Sequence, residues 1–502
     1  MNNKKIMLGP VITIIFMTFI IIFISAVGSI LNLSGEITKV VNGTFQTETV
    51  PIKSLFSIDG FKYIFSSPVE AFKTFQPLIL LIMSLMAVSI GKASGYLKAI
   101  FIKYRKLKPS VVTFITLFIG IISSFFGEYA YIVLIPLNAV IYQYLGRNSV
   151  LGILTMFIGI TLGYGAGLVF NFDDYQLGLL TKEAATIAID EDYLFNAWSN
   201  SFIMVASTIV LTVVGTLIIE SFLRSKVKES IYEEDDLIIS KKALVISNIA
   251  FIILTLVFIY MIIPGFPYSG LLLDMQQNDY VAQLLGGDAP FSDAFIFMLL
   301  IMMMVCSGIY GSISKNIKNT NEFSVGLSRE FSSLGYLFVL IFFVSLMISI
   351  LNWTNLGEVI AAWLINLIGS MQFTGIPLII TMFLIIIVVS FLIPDAVTKW
   401  QIGAPILVPL FMKANITPDF TQFVFKAADS IGKGLTPFFI YFVVMIAFLE
   451  KYNDKETNKI TVFGTLKMLL PTILLFMVTW ILILIGWFII GIPIGPNTNP
   501  TM

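Results

Sequence analysis

The sequence predicts an all-α polytopic membrane protein built from inverted repeats, with a re-entrant hairpin in each half. Three observations support this class. The chain of 502 residues is 57% hydrophobic and only 12% charged, whereas a soluble protein carries about a quarter charged residues. Apolar stretches long enough to span lipid recur along the whole chain. One stretch in each half combines a carboxylate with a proline, which is typical of transporters whose binding site lies between inverted repeats.

Composition excludes several other classes. Thirty Lys and Arg balance thirty Asp and Glu, so no charge excess favours a nucleic acid partner. The single cysteine, Cys306, excludes an intrachain disulfide and a cysteine metal cluster. Because the chain has no histidine, proton coupling must use carboxylates or a lysine. We find no nucleotide-binding loop, metal-ligand spacing or nucleophile–base arrangement, so the chain is predicted to be no enzyme and to need no cofactor.

Ten windows are apolar and long enough to cross lipid as helices. These windows are 6–31, 77–97, 148–170, 198–220, 242–264, 293–311, 333–351, 374–393, 436–450 and 466–490. The first window follows Met-Asn-Asn-Lys-Lys and is too long for the apolar region of a signal peptide. It is therefore predicted to remain as a membrane helix.

Two further apolar intervals, 110–145 and 390–413, fit a simple span badly. The first contains Glu128 in SSFFGEYAYIVLIPL, and the second contains Asp395 in SFLIPDAVTKWQIGAPILVPL. Non-helical backbone at membrane depth is tolerated only inside protein or beside a water-filled cavity. Both intervals are therefore predicted to be re-entrant hairpins, each interrupted at its middle.

The distribution of charged residues predicts the membrane topology and the boundary between the two repeats. Basic clusters such as 98–108 alternate with acidic loops, so the positive-inside rule places the N-terminus in the cytoplasm of a multi-pass plasma-membrane protein. The longest polar stretch, 224–242, is predicted to be a cytoplasmic linker. It separates a first repeat, 1–223, from a second repeat, 243–502.

Charged residues inside apolar segments are the candidate site residues. Asp395 and Lys399 are four positions apart, as are Asp429 and Lys433, and such spacing favours ion pairs on one helix face. These pairs could be structural or could serve a substrate, and the two roles are compatible.

Lys426, three positions before Asp429, is another candidate. We hypothesise that Lys426 and Lys399 bind the negative group of the substrate, and that Asp429 and Asp395 hold those lysines. Glu128 has no basic residue within four positions. It is either a proton-responsive carboxylate or a charge neutralised by a lysine from another helix.

Three long blocks resemble the AbgT family of p-aminobenzoyl-glutamate transporters, within the wider group of two-hairpin ion transporters. They are SIDGFKYIFSSPVEAFKTFQPLILLIMSLMAVSIGKASG (57–95), YIVLIPLNAVIYQYLGRNSVLG (131–152) and KWQIGAPILVPLFMKANITPDFTQFVFKAADS (399–430). The resemblance implies a homodimer with about nine transmembrane helices and two re-entrant hairpins per protomer. It also implies ion-coupled movement of aromatic amides of glutamate, or efflux of sulfonamide antimetabolites.

The resemblance also implies site residues. Positions that line the transport path in the family correspond to Asp174, Trp400, Pro418, Lys426 and Asp429. Ser390 stands where the family has an Asn in the second hairpin, and Glu128 stands where it has an Asp at the first hairpin tip. Lys426 stands where the family usually has Arg, so the charge remains but the bidentate fork is absent.

Together these observations predict a secondary active transporter of a small organic anion, such as a p-aminobenzoyl-glutamate-like aromatic amide or a sulfonamide-type drug. Its coupling ion is a proton or sodium, with Glu128, Asp395 and Ser390 as ion-coupling residues. A carrier of dicarboxylates, short-chain acids or amino acids is the alternative within transport. A channel and an integral-membrane enzyme are the alternatives from other classes.

Overall fold

The computed structural model describes residues 8–41, 43–188, 193–227, 236–286, 289–333, 335–453 and 460–502. These residues form twenty α-helices and one β-hairpin. The first part contains α1 (Pro10–Ile30), β1 (Ser34–Val41), β2 (Thr44–Pro51), α2 (Ile58–Lys73), α3 (Gln76–Ala93), α4 (Tyr96–Phe101), α5 (Pro109–Ile122), α6 (Tyr129–Tyr144), α7 (Ser149–Leu162), α8 (Phe172–Ala188) and α9 (Ser201–Ile218). The second part contains α10 (Lys241–Tyr260), α11 (Tyr280–Leu285), α12 (Pro290–Ser314), α13 (Thr320–Ser328), α14 (Gly335–Trp353), α15 (Leu356–Ser370), α16 (Gly375–Leu392), α17 (Ala396–Lys413), α18 (Pro418–Leu435), α19 (Ile440–Tyr452) and α20 (Val462–Ile490).

The all-α membrane class is confirmed. Within the described residues, nine helical segments are long and apolar enough to cross a membrane, or ten if α18 and α19 form one broken span with a 40° bend. The helix predicted over 148–170 is shorter in the structure, because α7 ends at Leu162 and a glycine-rich turn follows. Inverted repeats and re-entrant hairpins remain predictions.

Helices α7 and α18 lie at the centre of the molecule. Every residue of α7 is buried, and so is all of α18 except Leu435. Thr417 caps the start of α18 by accepting the Phe420 N–H over 3.4 Å, and Pro418 fills the first position, where a missing N–H costs nothing. In contrast, α10 is mostly exposed and faces outward. The central helices therefore hold the polar residues away from lipid.

The first break in the bundle follows α5. A single 3₁₀ turn, Ser123–Phe126, leads to Gly127, whose φ of 54° lies in the left-handed region that favours glycine. Glu128 then precedes α6. The interval 110–145 is thus interrupted at its middle by non-helical backbone, and Glu128 lies at the interruption.

The second break lies at residues 393–395, between α16 and α17. Pro394 disfavours helical backbone at Ile393, which is extended with φ −117° and ψ 94°. The prediction that 390–413 is interrupted at its middle is wrong. The break is at the start of the interval, and α17 continues through Pro405 and Pro409 to Lys413.

The β-hairpin between α1 and α2 was not predicted. Its antiparallel strands pair from Ser34 with Pro51 to Val41 with Thr44. It packs on α15, where Trp363 Nε1 donates to the Ser34 carbonyl over 2.9 Å. The hairpin also contacts α17 and so supports the helix that follows the second break.

A buried ion cluster ties α3 and α19 to the turn after α13. Glu330 in the 3₁₀ turn Arg329–Ser333 lies 3.1 Å from Lys92 Nζ and also accepts from Lys451. Burial raises the pKa of the Glu330 carboxyl, but the two ammonium groups outweigh this and hold the pKa below its ordinary value. The predicted linker 224–242 is only partly described, because residues 228–235 lie outside the described ranges. The division into repeats stays a prediction.

Candidate functional site

Both breaks lie on the wall of one cavity of about 380 Å³. Glu128 comes from the first break, Asp395 from the second, and Asp173 from the start of α8. Most of the remaining wall is apolar, and its aromatic residues are Phe125, Phe126, Tyr129, Phe172, Phe291 and Phe295. The rings of Phe126 and Phe295 stack with their centroids 4.5 Å apart. The cavity therefore combines three carboxylates with an aromatic surface.

Glu128 is exposed to this cavity. The Tyr441 hydroxyl donates a hydrogen bond to Glu128 Oε2 over 2.6 Å, and the Tyr441 ring stacks on Tyr131. Within the part of the chain that the structure describes, no lysine or arginine forms an ion pair with Glu128. The alternative of a neutralising lysine from another helix is thus not found there, and a phenol holds the carboxylate instead.

Asp395 is the N-cap of α17. Its Oδ2 accepts the Thr398 N–H over 2.6 Å, which satisfies one of the free donors at the start of the helix. The predicted pairing of Asp395 with Lys399 is wrong. Lys399 turns into the protein to meet Asp429, whereas the Asp395 carboxylate stays exposed at the cavity.

We expect Asp395→Ala to lower the free energy of unfolding by about 1 kcal/mol, because α17 loses its cap. Asp395→Asn should lose much less, since asparagine caps a helix as well as aspartate does. Detergent-titrated unfolding of both purified variants measures this. An equal loss in both variants would mean that the charge of Asp395, rather than its cap, carries the stability.

Asp429 is the centre of a fully buried charge cluster. Lys399 donates to Asp429 Oδ1, and Ser390 Oγ donates to the same oxygen over 2.8 Å. Lys433 Nζ lies 3.1 Å from Asp429 Oδ2, which confirms the predicted pair of these two residues. Lys399 also donates to the Pro394 carbonyl over 3.3 Å. The cluster therefore links α18 directly to the second break.

Lys426 forms a second buried ion pair, with Asp174 at the start of α8. The prediction that Asp429 holds Lys426 is wrong, because the nearer carboxylate comes from another helix. Asp174 is fixed by Asn171, whose N–H donates to Asp174 Oδ2 over 2.9 Å and whose Oδ1 accepts the Asp174 N–H over 2.8 Å. This reciprocal arrangement orients the carboxylate toward α18.

Tyr164 lies between the two ion pairs, at the end of α7. The Lys433 and Lys426 ammonium groups lie 3.7 Å and 5.2 Å from the centroid of its ring. Its hydroxyl donates to Asp173 Oδ2 over 2.6 Å, and Asp173 lines the cavity. Aromatic faces attract cations, so Tyr164 joins the buried lysines to the cavity wall. Sequence reasoning did not single out Tyr164, Asp173 or Tyr441.

Close backbone packing brings α7 against α18 here. The Gly165 N–H donates to Ser430 Oγ over 2.8 Å, and a Cβ at Gly165 would lie 3.1 Å from the Ala427 nitrogen. Glycine is the residue that permits such an approach. This contact places Tyr164 between Lys426 and Lys433.

The remaining predicted site residues are Trp400 and Pro418, and they lie in different surroundings. Trp400 is fully buried, and its ring centroid lies 4.6 Å from that of Phe425, with the two rings tilted by 36°. Its Nε1 donates to Thr181 Oγ1 over 2.9 Å. Pro418 lies two turns before Lys426, about 12 Å along α18, and packs where Thr417 meets the Pro500 carbonyl. Trp400 therefore belongs to the buried network, whereas Pro418 is separate from it.

Three buried or cavity-lining aspartates and three buried lysines form this network, so their formal charges balance. They are Asp173, Asp174, Asp429, Lys399, Lys426 and Lys433. No group of three histidine, cysteine, aspartate or glutamate side chains that could hold a metal ion occurs in the described ranges. Carboxylates and ammonium groups in this arrangement can exchange protons and bind charged groups.

Comparisons with known proteins give a consistent result. The model of the AbgT putative transporter family matches residues 4–502. The chain is 25% identical over 487 residues to the p-aminobenzoyl-glutamate transport protein of Escherichia coli (strain K12). The aligned region covers 96% of this chain and 93% of that protein.

Two solved structures are also similar. The YdaH transporter of Alcanivorax borkumensis is similar over 97% of this chain and 100% of that one, with 24% identity and a TM-score of 0.50. MtrF of Neisseria gonorrhoeae, described among a class of antimetabolite efflux pumps, is similar over 98% of both chains, with 27% identity and a TM-score of 0.50.

Proposed function

Because the chain belongs to the AbgT putative transporter family, we propose that it is a proton-coupled secondary transporter of a small aromatic organic anion in the plasma membrane. Family membership also means that the chain is a multi-pass membrane transporter and not an enzyme. The proposed substrate class is a p-aminobenzoyl-glutamate-like aromatic amide or a sulfonamide-type drug. Such a molecule has a flat ring and an acidic group.

The observation that carries this proposal is the cavity that Glu128, Asp173 and Asp395 share. An anion entering this cavity meets carboxylates, and like charges in contact cost several kcal/mol. Protonation of the carboxylates removes this cost. Substrate anion and protons therefore bind together, which couples their movement.

Glu128 is the proposed proton-binding residue. A carboxylate beside an ammonium group stays ionised. Among the residues that the structure describes, Glu128 is instead hydrogen-bonded by the Tyr441 hydroxyl and lies beside apolar rings. Protonation of Glu128 keeps the hydrogen bond, since the phenol can accept as well as donate. Asp395 is a weaker candidate because one of its carboxylate oxygens is already engaged as the cap of α17.

The aromatic surface of the cavity suits the ring of the substrate. Phe126 and Phe295 already stack on each other, and Tyr129 lies beside them. We propose that Lys426 and Lys399 hold the negative group after exchanging their present carboxylate partners, Asp174 and Asp429, for the substrate. Trp400 shapes this region from the buried side, and Pro418 fixes the start of α18.

Protons suit this site better than sodium. Ser390, the residue at the predicted ion site, contacts the Lys399 ammonium over 3.0 Å. A sodium ion bound there would lie beside that ammonium group and would need several oxygen ligands free of it. Ser390 instead serves to hold the Lys399–Asp429 pair.

Glu128→Gln should abolish the pH dependence of uptake in proteoliposomes, because glutamine cannot bind a proton yet keeps an acceptor for Tyr441. Uptake of labelled p-aminobenzoyl-glutamate is measured from pH 5 to pH 8, with and without an imposed proton gradient. The Glu183→Gln variant, which changes a carboxylate lining a different cavity, is the matched control and should keep the wild-type profile. Unchanged pH dependence in Glu128→Gln would remove Glu128 as the coupling residue.

A second candidate is the efflux of aromatic amine drugs in exchange for protons. It is favoured by the carboxylates of the cavity wall, which would bind an amine and a proton in competition. The two candidate functions differ in whether the substrate moves with the protons or against them. For symport, an inward proton gradient accelerates uptake into proteoliposomes, whereas for exchange an outward gradient does so. A thermal-shift screen with p-aminobenzoyl-glutamate, sulfonamides and simple dicarboxylates, with and without sodium, separates both from the other carrier classes.

A further inference from the structure

A second cavity, of about 680 Å³, lies away from the acidic one. It forms where α5 begins, α6 ends and α7 begins, next to the residues that follow α9. Its polar wall includes Thr113, Arg147, Glu220 and Arg224. None of these residues takes part in the proposed transport site.

The charge of this cavity is positive. Glu220 is the one acid that lines it among the described residues, and it is already held by Arg224 over 2.8 Å and by the Thr113 hydroxyl. A third guanidinium is near, because a Cβ at Gly146 would lie 2.7 Å from Arg105 Nε. The N-termini of α5 and α7, which are 14 residues long, also open here and add partial positive charge.

Arg147 has unused donor capacity at this cavity. One nitrogen, Nη2, donates to the Leu107 carbonyl over 2.7 Å. Its Nε is buried and finds no acceptor among the residues that the structure describes. Arg147 as a whole is only partly buried and lines the cavity, so its guanidinium, which carries five N–H donors, can bind an anion there.

An apolar groove of about 520 Å³ runs beside the polar cavity on the same helices. It is lined by side chains such as Val112, Ile115 and Ile119 of α5 and Leu134, Leu137 and Ile141 of α6. Leu107 lines the groove, and its carbonyl accepts from Arg147, which lines the polar cavity. This hydrogen bond therefore connects the walls of the two spaces.

The length of the groove matches one leaflet of a bilayer. From Val112 to Ile119 the helix rises about 10 Å, and from Leu134 to Leu145 about 16 Å. Half of the hydrocarbon core is about 15 Å thick. Ile115 and Ile119 are also among the exposed apolar residues of α5, so lipid can reach the groove from the side.

We propose that the polar cavity and the groove together bind one anionic phospholipid. The phosphate group lies between Arg147 and Arg224, and one acyl chain follows the groove along α5 and α6. Both helices continue to the break at Gly127 and Glu128. The bound lipid therefore steadies the helix pair that carries Glu128.

The test measures thermal unfolding of the purified protein in neutral detergent during titration with long-chain phosphatidylglycerol. Phosphatidylcholine, dihexanoyl phosphatidylglycerol and inorganic phosphate are titrated in parallel. We expect long-chain phosphatidylglycerol to bind most tightly. Arg147→Ala and Arg224→Ala should each weaken it about fivefold, as expected for one basic residue at an anionic lipid.

Three further variants complete the design. Arg147→Lys keeps the charge and should bind more tightly than Arg147→Ala, which guards against a mere folding defect. Ile115→Trp fills the groove and should weaken long-chain but not dihexanoyl phosphatidylglycerol. Lys413→Ala, an exposed lysine that lines neither space, should leave binding unchanged.

Several outcomes would overturn the proposal. Equal stabilisation by inorganic phosphate would make the cavity a free phosphate site. Equal stabilisation by phosphatidylcholine would show that the headgroup charge is not recognised. Wild-type affinity in Arg147→Ala and Arg224→Ala would place the lipid elsewhere.

Discussion

Asp429→Asn is expected to destabilise the protein by about 3–5 kcal/mol, because it removes the carboxylate of a buried charge cluster. Asp429 is fully buried and is the carboxylate partner of both Lys399 and Lys433. Its neutralisation leaves two ammonium groups in the interior without a counter-charge. Lys399→Met should cost less, because Asp429 keeps Lys433 as its partner.

The free energy of unfolding of these variants is measured in mixed micelles with increasing dodecyl sulfate. The double variant Lys399→Met with Asp429→Asn should be more stable than Asp429→Asn alone, since only one unpaired lysine then remains. Ser207→Ala, which alters another buried residue without changing charge, is the control. A double variant as unstable as the sum of both single variants would mean that Lys399 and Asp429 act independently.

Variants of the Asp174–Lys426 pair are expected to distinguish a structural role of Lys426 from a role in substrate binding. Asp174→Asn should destabilise the protein by about 3–5 kcal/mol, because it leaves the buried Lys426 unpaired. Adding Lys426→Gln should restore most of the stability, since removing both members of a buried pair is often nearly neutral. Transport should nevertheless stay lost in the double variant, because the proposed anchor for the substrate anion is gone.

Unfolding and uptake are measured on the same preparations. Lys92→Gln, which removes a lysine of the Glu330 cluster, is the control and should retain measurable uptake. Recovery of both stability and uptake in the double variant would show that Lys426 is structural only. Lys426→Arg should keep uptake and bind a substrate carboxylate more tightly, because guanidinium forms a bidentate contact.

The fold class could be predicted from the sequence because lipid imposes long apolar segments that are visible in composition alone. The position of the second break could not. Several prolines in 390–413 all disfavour helix. Pro405 and Pro409 are nevertheless accommodated within α17. Pro394 lies directly before the capping residue Asp395, at the break between α16 and α17. A cap immediately after a proline is the signal that distinguishes these positions.

The charged residues of the site could be predicted, but most of their partners could not. Spacing along one helix finds neighbours such as Asp429 and Lys433. It cannot find Asp174 for Lys426, or Asp429 for Lys399, because these contacts join different helices. Tyr164 was missed for the same reason, since its importance comes from two lysines on α18.

The β-hairpin could not be predicted from hydropathy, because long apolar windows identify only membrane spans. Its sequence carries a usable signal, an Asn-Gly pair at 42–43 between two stretches of alternating polar and apolar residues. In the structure it packs on α15 and contacts α17. An Asn-Gly turn between two membrane spans therefore predicts a hairpin of this kind.

The 29 residues of α20 make a helix about 43 Å long, whereas the hydrocarbon core is about 30 Å thick. Such a mismatch is relieved by tilt. The middle of α20 is pinned, because Trp480 Nε1 donates to the Leu162 carbonyl of α7 over 2.8 Å and its ring meets Phe423 of α18. A change in bilayer thickness is therefore expected to tilt α20 about Trp480, against α18, which carries Lys426, and against the end of α7, which Tyr164 follows. Bilayer thickness should in this way influence the proposed transport site.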